Sequence, residues 1–188
     1  MRIIAGKMRG KRLALVGQGD ASAHLRPTTD RVRESLFNLL INGGYGAPIN
    51  GARVLDLFAG TGALGLEALS RGASFAMFVD NGPTAQSLLK QNIALCNAQP
   101  VSKINRRDAA KLGPNTTLPF DLVFLDPPYG KSMGERALEA ALQGNWLAPE
   151  ALIVWEESAP PTLSADFEGL DQRRYGTTII TIARRRPL

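Results

Sequence analysis

The sequence predicts an α/β fold built on a mostly parallel sheet and closed by an antiparallel hairpin near its carboxyl end. Three observations carry that expectation. Short apolar, β-branched runs alternate with stretches of helical periodicity, the pattern of repeated βα units. Successive runs end in or just before an acid, at Asp56, Asp80, Asp108 and Asp126. The last two runs lie about Gly176 with no helical stretch between them, so they pair antiparallel. In open α/β sheets the ligand sits at the carboxyl ends of the strands. The acids therefore mark one edge of the sheet as a site.

Bulk properties narrow the class. A chain of 188 residues makes one domain, or a domain with a small appendage. With 44% hydrophobic and 21% charged residues it is not a disordered chain. No apolar run approaches the roughly 20 residues of a membrane helix, and Met1-Arg-Ile-Ile-Ala-Gly-Lys7 is too short in its apolar part for a secretory signal. Cys96 stands alone, so no internal disulfide forms, and no Cys/His cluster offers a metal site. No metal is expected, and a reducing cytoplasm is the expected location. His24, in a loop, is incidental.

Charge is concentrated at the front. Residues 1–33 hold eight cations and two acids, a surplus of six against a whole-chain net charge of +5. The remainder is close to neutral. Such a segment suits a phosphate-rich partner, a solvated basic tail being the plainer alternative.

Residues 1–16 read as a small hairpin about Gly6-Lys7-Met8-Arg9-Gly10, a ribbon able to lie along a nucleic-acid backbone. Val32, Leu36, Leu39 and Leu40 then recur at helical spacing. Thr28, Thr29 and Asp30 cap that helix and Gly43-Gly44 ends it. Its polar face carries Arg31, Glu34 and Asn38, and Arg26 lies on the approach.

Residues 53–69 read as strand, glycine-rich turn and helix. Gly60, Gly62 and Gly65 fit the G-x-G-x-x-G spacing of a dinucleotide turn. Asp56 and Phe58 argue against that ligand. An acid ahead of the glycines repels a pyrophosphate but accepts a hydrogen bond from an ammonium, and Phe58 bulks the turn. Glycines here let the backbone approach a nucleoside and an amino-acid tail. Asp80 ends the next strand, 20 residues after Gly60, where a carboxylate reaches ribose hydroxyls. Pro83 opens a further helix. Asp108, after a weaker strand at 101–105, is placed to meet an adenine amine. Later come a helix over 135–142, a strand over 151–156 and the hairpin over 173–183.

The run Phe120-Asp-Leu-Val-Phe-Leu-Asp126-Pro127-Pro128-Tyr129 reads as a buried strand that stops at an acid. Two prolines cannot continue a ladder, so the chain leaves the sheet in a stiff turn. That turn joins a carboxylate, a proline carbonyl and an aromatic face.

Asp56-Leu-Phe-Ala-Gly60-Thr-Gly62, Asp80, Asp108 and Asp126-Pro-Pro-Tyr129 together resemble the class I S-adenosylmethionine-dependent methyltransferases, in the branch acting on exocyclic amines. Arg26-Pro-Thr-Thr-Asp-Arg-Val-Arg-Glu-Ser-Leu-Phe-Asn38, behind a basic amino-terminal segment, is similar to the bacterial 16S ribosomal RNA guanine-N2 methyltransferase family (RsmD-like). The resemblance covers nearly the whole chain. Asp80-Asn81-Gly82 departs from it, since relatives more often show an acid followed by a charged pair.

This resemblance implies a Rossmann-like, seven-stranded sheet with helices on both faces. Residues 1–24 form a basic hairpin extension and residues 25–188 the methyltransferase domain. S-adenosylmethionine is the implied cofactor, with Asp56, Phe58, Gly60, Thr61 and Gly62 at its methionine part, Asp80 at the ribose and Asp108 at the adenine. Asp126, Pro127 and Tyr129 are the implied catalytic residues. Pro128, Tyr129, Arg2, Lys7, Arg9, Lys11, Arg12, Arg26, Thr28 and Arg31 are implied on the substrate side. The implied partner is 16S ribosomal RNA or the small ribosomal subunit, engaged by a monomer away from any membrane.

Three other readings compete. A DNA adenine-N6 or cytosine-N4 methyltransferase uses the same tetrapeptide, but no target-recognition domain for duplex DNA is evident. A nicotinamide-dependent oxidoreductase leaves Asp56 and the Asp-Pro-Pro-Tyr turn unexplained. A non-catalytic RNA-binding protein on the same fold predicts binding without turnover.

Overall fold

The computed structural model of the chain describes residues 1–15 and 29–187. Arg26 and Thr28, expected at the substrate side, and His24 lie outside the described residues. The elements in order are α1 (Asp30–Asn42), β1 (Arg53–Leu57), α2 (Ala63–Ser70), β2 (Phe75–Val79), α3 (Pro83–Leu95) and β3 (Ser102–Asn105). Then come β4 (Phe120–Leu125), α4 (Met133–Gln143), β5 (Leu147–Glu157), β6 (Phe167–Tyr175) and β7 (Thr178–Arg185). The seven strands form one sheet in the order β3-β2-β1-β4-β5-β7-β6. Neighbours are parallel from β3 through β5, whereas β7 is antiparallel to both β5 and β6. The order reverses between β1 and β4, the switch point at which such sheets open a crevice.

Strand alternation sorts the core into two layers. Val54, Ala76, Phe78, Leu122 and Phe124 join Leu36, Phe37 and Leu40 of α1, Leu66 and Leu69 of α2, and Leu89 and Ile93 of α3 on one face. Leu55, Leu57, Met77, Val79, Val123 and Leu125 face the other way, onto Ala137, Leu138 and Ala141 of α4. Near-continuous apolar runs in β1, β2 and β4 follow from this double burial. Helices therefore cover both faces.

Thr29 caps α1 by accepting the Val32 N–H at 3.3 Å, and the Gly43 N–H closes the helix onto the Leu39 carbonyl. β5 begins at Leu147, ahead of the expected Ala151, and its pairing with β4 slips between Phe120 and Leu122.

The amino-terminal segment doubles back as expected, but through a single antiparallel bridge between Arg2 and Arg12 and not as two strands. Ile3 donates to the Lys11 carbonyl and Gly10 to the Ile3 carbonyl, both at 2.9 Å, and Leu13 to the Met1 carbonyl at 3.2 Å. The donors between them turn to α2, which is the physical reason the pairing stays short. Ile4 and Ala5 donate to the Glu67 carboxylate at 2.8 and 3.0 Å, Lys7 to the Ser70 carbonyl at 2.8 Å, and Met8 to the Ser70 hydroxyl at 2.9 Å. Gly6, with φ of +81°, comes so close that a Cβ would lie 1.9 Å from the Ser70 oxygen. Ile3, Met8 and Leu13 are buried in the α1–α2–α3 layer.

Candidate active site

A cavity of about 700 Å³ opens at the carboxyl ends of β1, β2 and β4, a size typical of cofactor and substrate pockets. Asp56, Asp80, Asp108 and Asp126 all line it, although they come from four separate βα units. The parallel register carries each acid to the same edge. Asp56 pairs with Phe78 on β2 and Phe124 on β4, one residue before the end of its own strand.

Asp56 shares a face with Val54, so its side chain passes under α2 and its Oδ2 accepts the Gly65 N–H at 2.9 Å. Gly65 is required there, since a Cβ would lie 3.0 Å from that oxygen and 2.5 Å from the Phe78 ring. Burial, with the Asp80 charge adding to it, pushes the Asp56 pKa up to about 8 even against the Gly65 bond. A buried acid with one backbone partner suits an incoming cation.

The glycine turn is wound tightly, with φ of 58° at Phe58, 55° at Gly60 and 78° at Gly62. A bulky residue in the left-handed region is a strained position of the kind found at ligand sites. Asp80 holds the turn from the next strand, its Oδ2 accepting from Gly60 at 2.9 Å and its Oδ1 from Gly82 at 2.8 Å. Asp108 accepts the Ala110 N–H at 2.9 Å and so starts the short turn Ala109–Lys111. Each of these carboxylates keeps lone pairs beyond those bonds.

Asp126 sits where β4 leaves the sheet, and Pro127, Pro128 and Tyr129 continue along the cavity wall. Burial raises the Asp126 pKa well above the usual carboxylate range, helped by the charges of Glu156, Asp56 and Glu157. The Tyr129 hydroxyl donates to Oε1 of Glu156 at 3.0 Å and lies 3.1 Å from the Thr178 hydroxyl. Burial, foremost, also raises the phenol's pKa, so it stays protonated.

The basic residues of the amino-terminal segment divide. Arg2, Lys7, Arg9, Arg12 and Arg31 are exposed. The Lys11 ammonium instead donates to the Leu95 carbonyl at 2.9 Å, at the end of α3, where a cation is favoured.

Several residues at the site carry no signal in the sequence. Asn92 is fully buried and ties Thr61 to Ala14, donating to both carbonyls at 2.8 and 3.1 Å and accepting the Ala14 N–H at 2.7 Å. Glu67 and Arg33 are fully buried charges on α2 and α1, and Glu156 and Thr178 hold Tyr129. Helical spacing placed Arg33 and Asn92 on their helices, but only the packing of α1 and α3 shows which way they turn. Among the described residues no group of three or more His, Cys, Asp and Glu is placed to hold a metal.

A mostly parallel sheet reversed at β1/β4, with a glycine turn after β1 and an acid at the carboxyl end of each of β1 to β4, defines a class I methyltransferase. The family described as Conserved hypothetical protein 95 matches residues 1–184. Ribosomal RNA small subunit methyltransferase D of Escherichia coli K12 is 40% identical over 89% of this chain and 81% of its own length. Its Haemophilus influenzae counterpart is 40% identical over 83% and 78%. The solved structure of yhhF from Escherichia coli superposes with a TM-score of 0.81 at 36% identity, covering 100% of this chain and 99% of that one. The chain belongs to the Conserved hypothetical protein 95 family, which includes these RsmD-type methyltransferases.

Proposed function

We propose that this enzyme transfers a methyl group from S-adenosylmethionine to the exocyclic N2 amine of a guanine in 16S ribosomal RNA. The observation that carries the reading is the meeting of Asp126-Pro127-Pro128-Tyr129 with Asp56, Asp80 and Asp108 around one cavity. The names of the relatives above support ribosomal RNA as the substrate class.

The residues present fit the cofactor. Asp56 is a buried acid for an ammonium, Asp80 a carboxylate at the ribose position, and Asp108 an acceptor for an adenine amine. Phe58, Gly60, Thr61 and Gly62 form the turn against the methionine part. When bound, S-adenosylmethionine supplies an electrophilic methyl group on its sulfonium.

On the acceptor side, a guanine splayed from its RNA stacks on Tyr129 beside Pro128. Asp126 and the Pro127 carbonyl each accept one hydrogen of the N2 amine, which turns the nitrogen lone pair toward the methyl group. Both acceptors are preorganised and stabilise the positive charge that develops on nitrogen. A raised proton affinity suits Asp126 to take up the proton that the methylated nitrogen releases. On this reading Arg2, Lys7, Arg9, Lys11 and Arg12 of the amino-terminal extension, with Arg26, Thr28 and Arg31, are the contacts to the RNA. The enzyme works as a cytoplasmic monomer.

The test is incubation of the protein and labelled S-adenosylmethionine with small ribosomal subunits, free 16S RNA or duplex DNA, followed by mass mapping of the labelled nucleoside. N2-methylguanine in 16S RNA is the expected product. Label in DNA adenine or cytosine, or binding without turnover, would replace the reading.

A further inference from the structure

We infer that Arg33 is a cofactor-binding residue, holding the α-carboxylate of the amino-acid tail of S-adenosylmethionine. The inference rests on the cofactor reading above and adds a residue that the glycine turn and the strand-end acids do not include.

Arg33 lies near the start of α1, fully buried, and lines the cavity. Its Nη2 donates to the Arg2 carbonyl and to Asp30 at 3.0 Å. Nε stands 4.0 Å from Oε2 of Glu67, a distance too long for a hydrogen bond. Nε and Nη1 have no acceptor among the described residues. A buried donor left unpaired costs about 1–3 kcal/mol, so folded proteins rarely keep one without a reason. A guanidinium donor left over beside a cavity is suited to a carboxylate, which accepts a charge-assisted N–H bond from Nη1.

The placement selects the amino-acid tail. Arg33 and Asp56 both reach α2, the first approaching Glu67 and the second accepting from Gly65, two residues earlier. A zwitterion needs an acid for its ammonium and a base for its carboxylate, and this pair supplies both in the lining of one cavity. The other side-chain cations lining the cavity among the described residues are less suited. Arg107 is exposed and gives Nη1 to the Leu112 carbonyl at 2.6 Å, and Lys131 is exposed. An RNA phosphate would stay near solvent, whereas Arg33 is covered.

The experiment is calorimetry with three ligands that differ only in the tail: S-adenosylhomocysteine, its decarboxylated analogue, and 5′-methylthioadenosine. Wild-type protein should favour S-adenosylhomocysteine over the decarboxylated analogue by about 10- to 100-fold. Arg33→Lys and Arg33→Gln should lose most of that preference while binding 5′-methylthioadenosine unchanged. A wild type indifferent to the carboxylate, or variants that keep the preference, would overturn the assignment. Should both variants fail to fold, the Arg33 Nε resonance of the ¹⁵N-labelled wild type decides. It should shift with S-adenosylhomocysteine and stay put with the decarboxylated analogue, and no difference overturns the inference. Weakened RNA binding with unchanged S-adenosylhomocysteine binding would give the anion to RNA, against it. A wild type that binds none of the three ligands would remove the cofactor reading itself, and this inference with it.

Discussion

The Tyr129 hydroxyl donates to Glu156 at 3.0 Å, so the ring beside Asp126 is held from β5 and not by its own loop alone. With the phenol proton directed to Glu156, the 3.1 Å contact with Thr178 is made by the threonine hydroxyl donating to Tyr129. Glu156 acts on the site twice, because its charge also helps to raise the Asp126 pKa. In Glu156→Gln the acceptor for Tyr129 remains while the charge is lost. The Asp126 pKa should fall, and the acid limb of the kcat/KM profile should move to lower pH. An unmoved limb would show that Asp126 does not govern that titration.

Asp126→Asn keeps the side chain's shape and one acceptor oxygen but loses the charge and the proton affinity. By analogy with other preorganised electrostatic groups, kcat should drop on the order of 10²–10³-fold. Cofactor and RNA affinities, measured by calorimetry and filter binding, should change little.

Asp56 makes cofactor binding dependent on pH. Its carboxyl titrates at about 8 in the free protein, and pairing with an ammonium needs it ionised. Affinity should therefore climb by up to about tenfold per pH unit as pH rises toward 8, then fall again as the ligand's own ammonium deprotonates. Asp56→Asn should flatten that rise and weaken binding at pH 8.

The same shift bears on stability. A carboxyl with a raised folded pKa favours folding fully only below its unfolded value, near 3.8, and that advantage is lost as pH rises through about 8. At pH 9, Asp56→Asn should thus stabilise the cofactor-free protein by on the order of a few kcal/mol, read as a higher Tm. It should do little at pH 4.

Glu67 is a buried hub that receives the Ile4 and Ala5 amides and the Arg71 guanidinium at 2.7 Å, with Arg33 close by. Glu67→Ala strands the Arg71 guanidinium and removes the buried charge beside Arg33, and should cost about 3–5 kcal/mol in denaturant unfolding. Hydrogen exchange at Ile4 and Ala5 should quicken along with it.

RNA affinity should fall linearly with the logarithm of salt concentration. Replacing the exposed Arg9 and Arg12 should reduce the slope by about 0.7–0.9 for each phosphate that is no longer neutralised. Adding Lys11 to the set should change it less, because the Lys11 ammonium already sits on the Leu95 carbonyl. An unchanged slope would leave the segment a solvated basic surface.

Much of this molecule is legible in one dimension because its signals are local. Apolar runs of five or six residues, a helix period in 32–40 and the helix-free hairpin at 173–183 depend on neighbours in the chain, and they yield the seven strands and their mixed pairing. Strand-end acids are legible for the same reason. A parallel sheet aligns its carboxyl ends whatever the loops do, so Asp56, Asp80, Asp108 and Asp126 had to share an edge. Tertiary structure alone decided the rest. Whether Arg33 turns inward, whether Asn92 meets Thr61, and whether Glu156 reaches Tyr129 depend on how helices and distant strands pack across tens of residues. The amino-terminal segment is the clearest case. Its sequence specifies a turn and positive charge, but the backbone donors of Ile4, Ala5, Lys7 and Met8 found Glu67 and Ser70 on α2 and cut the strand pairing short. A buried carboxylate in reach is a stronger partner for free N–H groups than water at a sheet edge, and no periodicity records it.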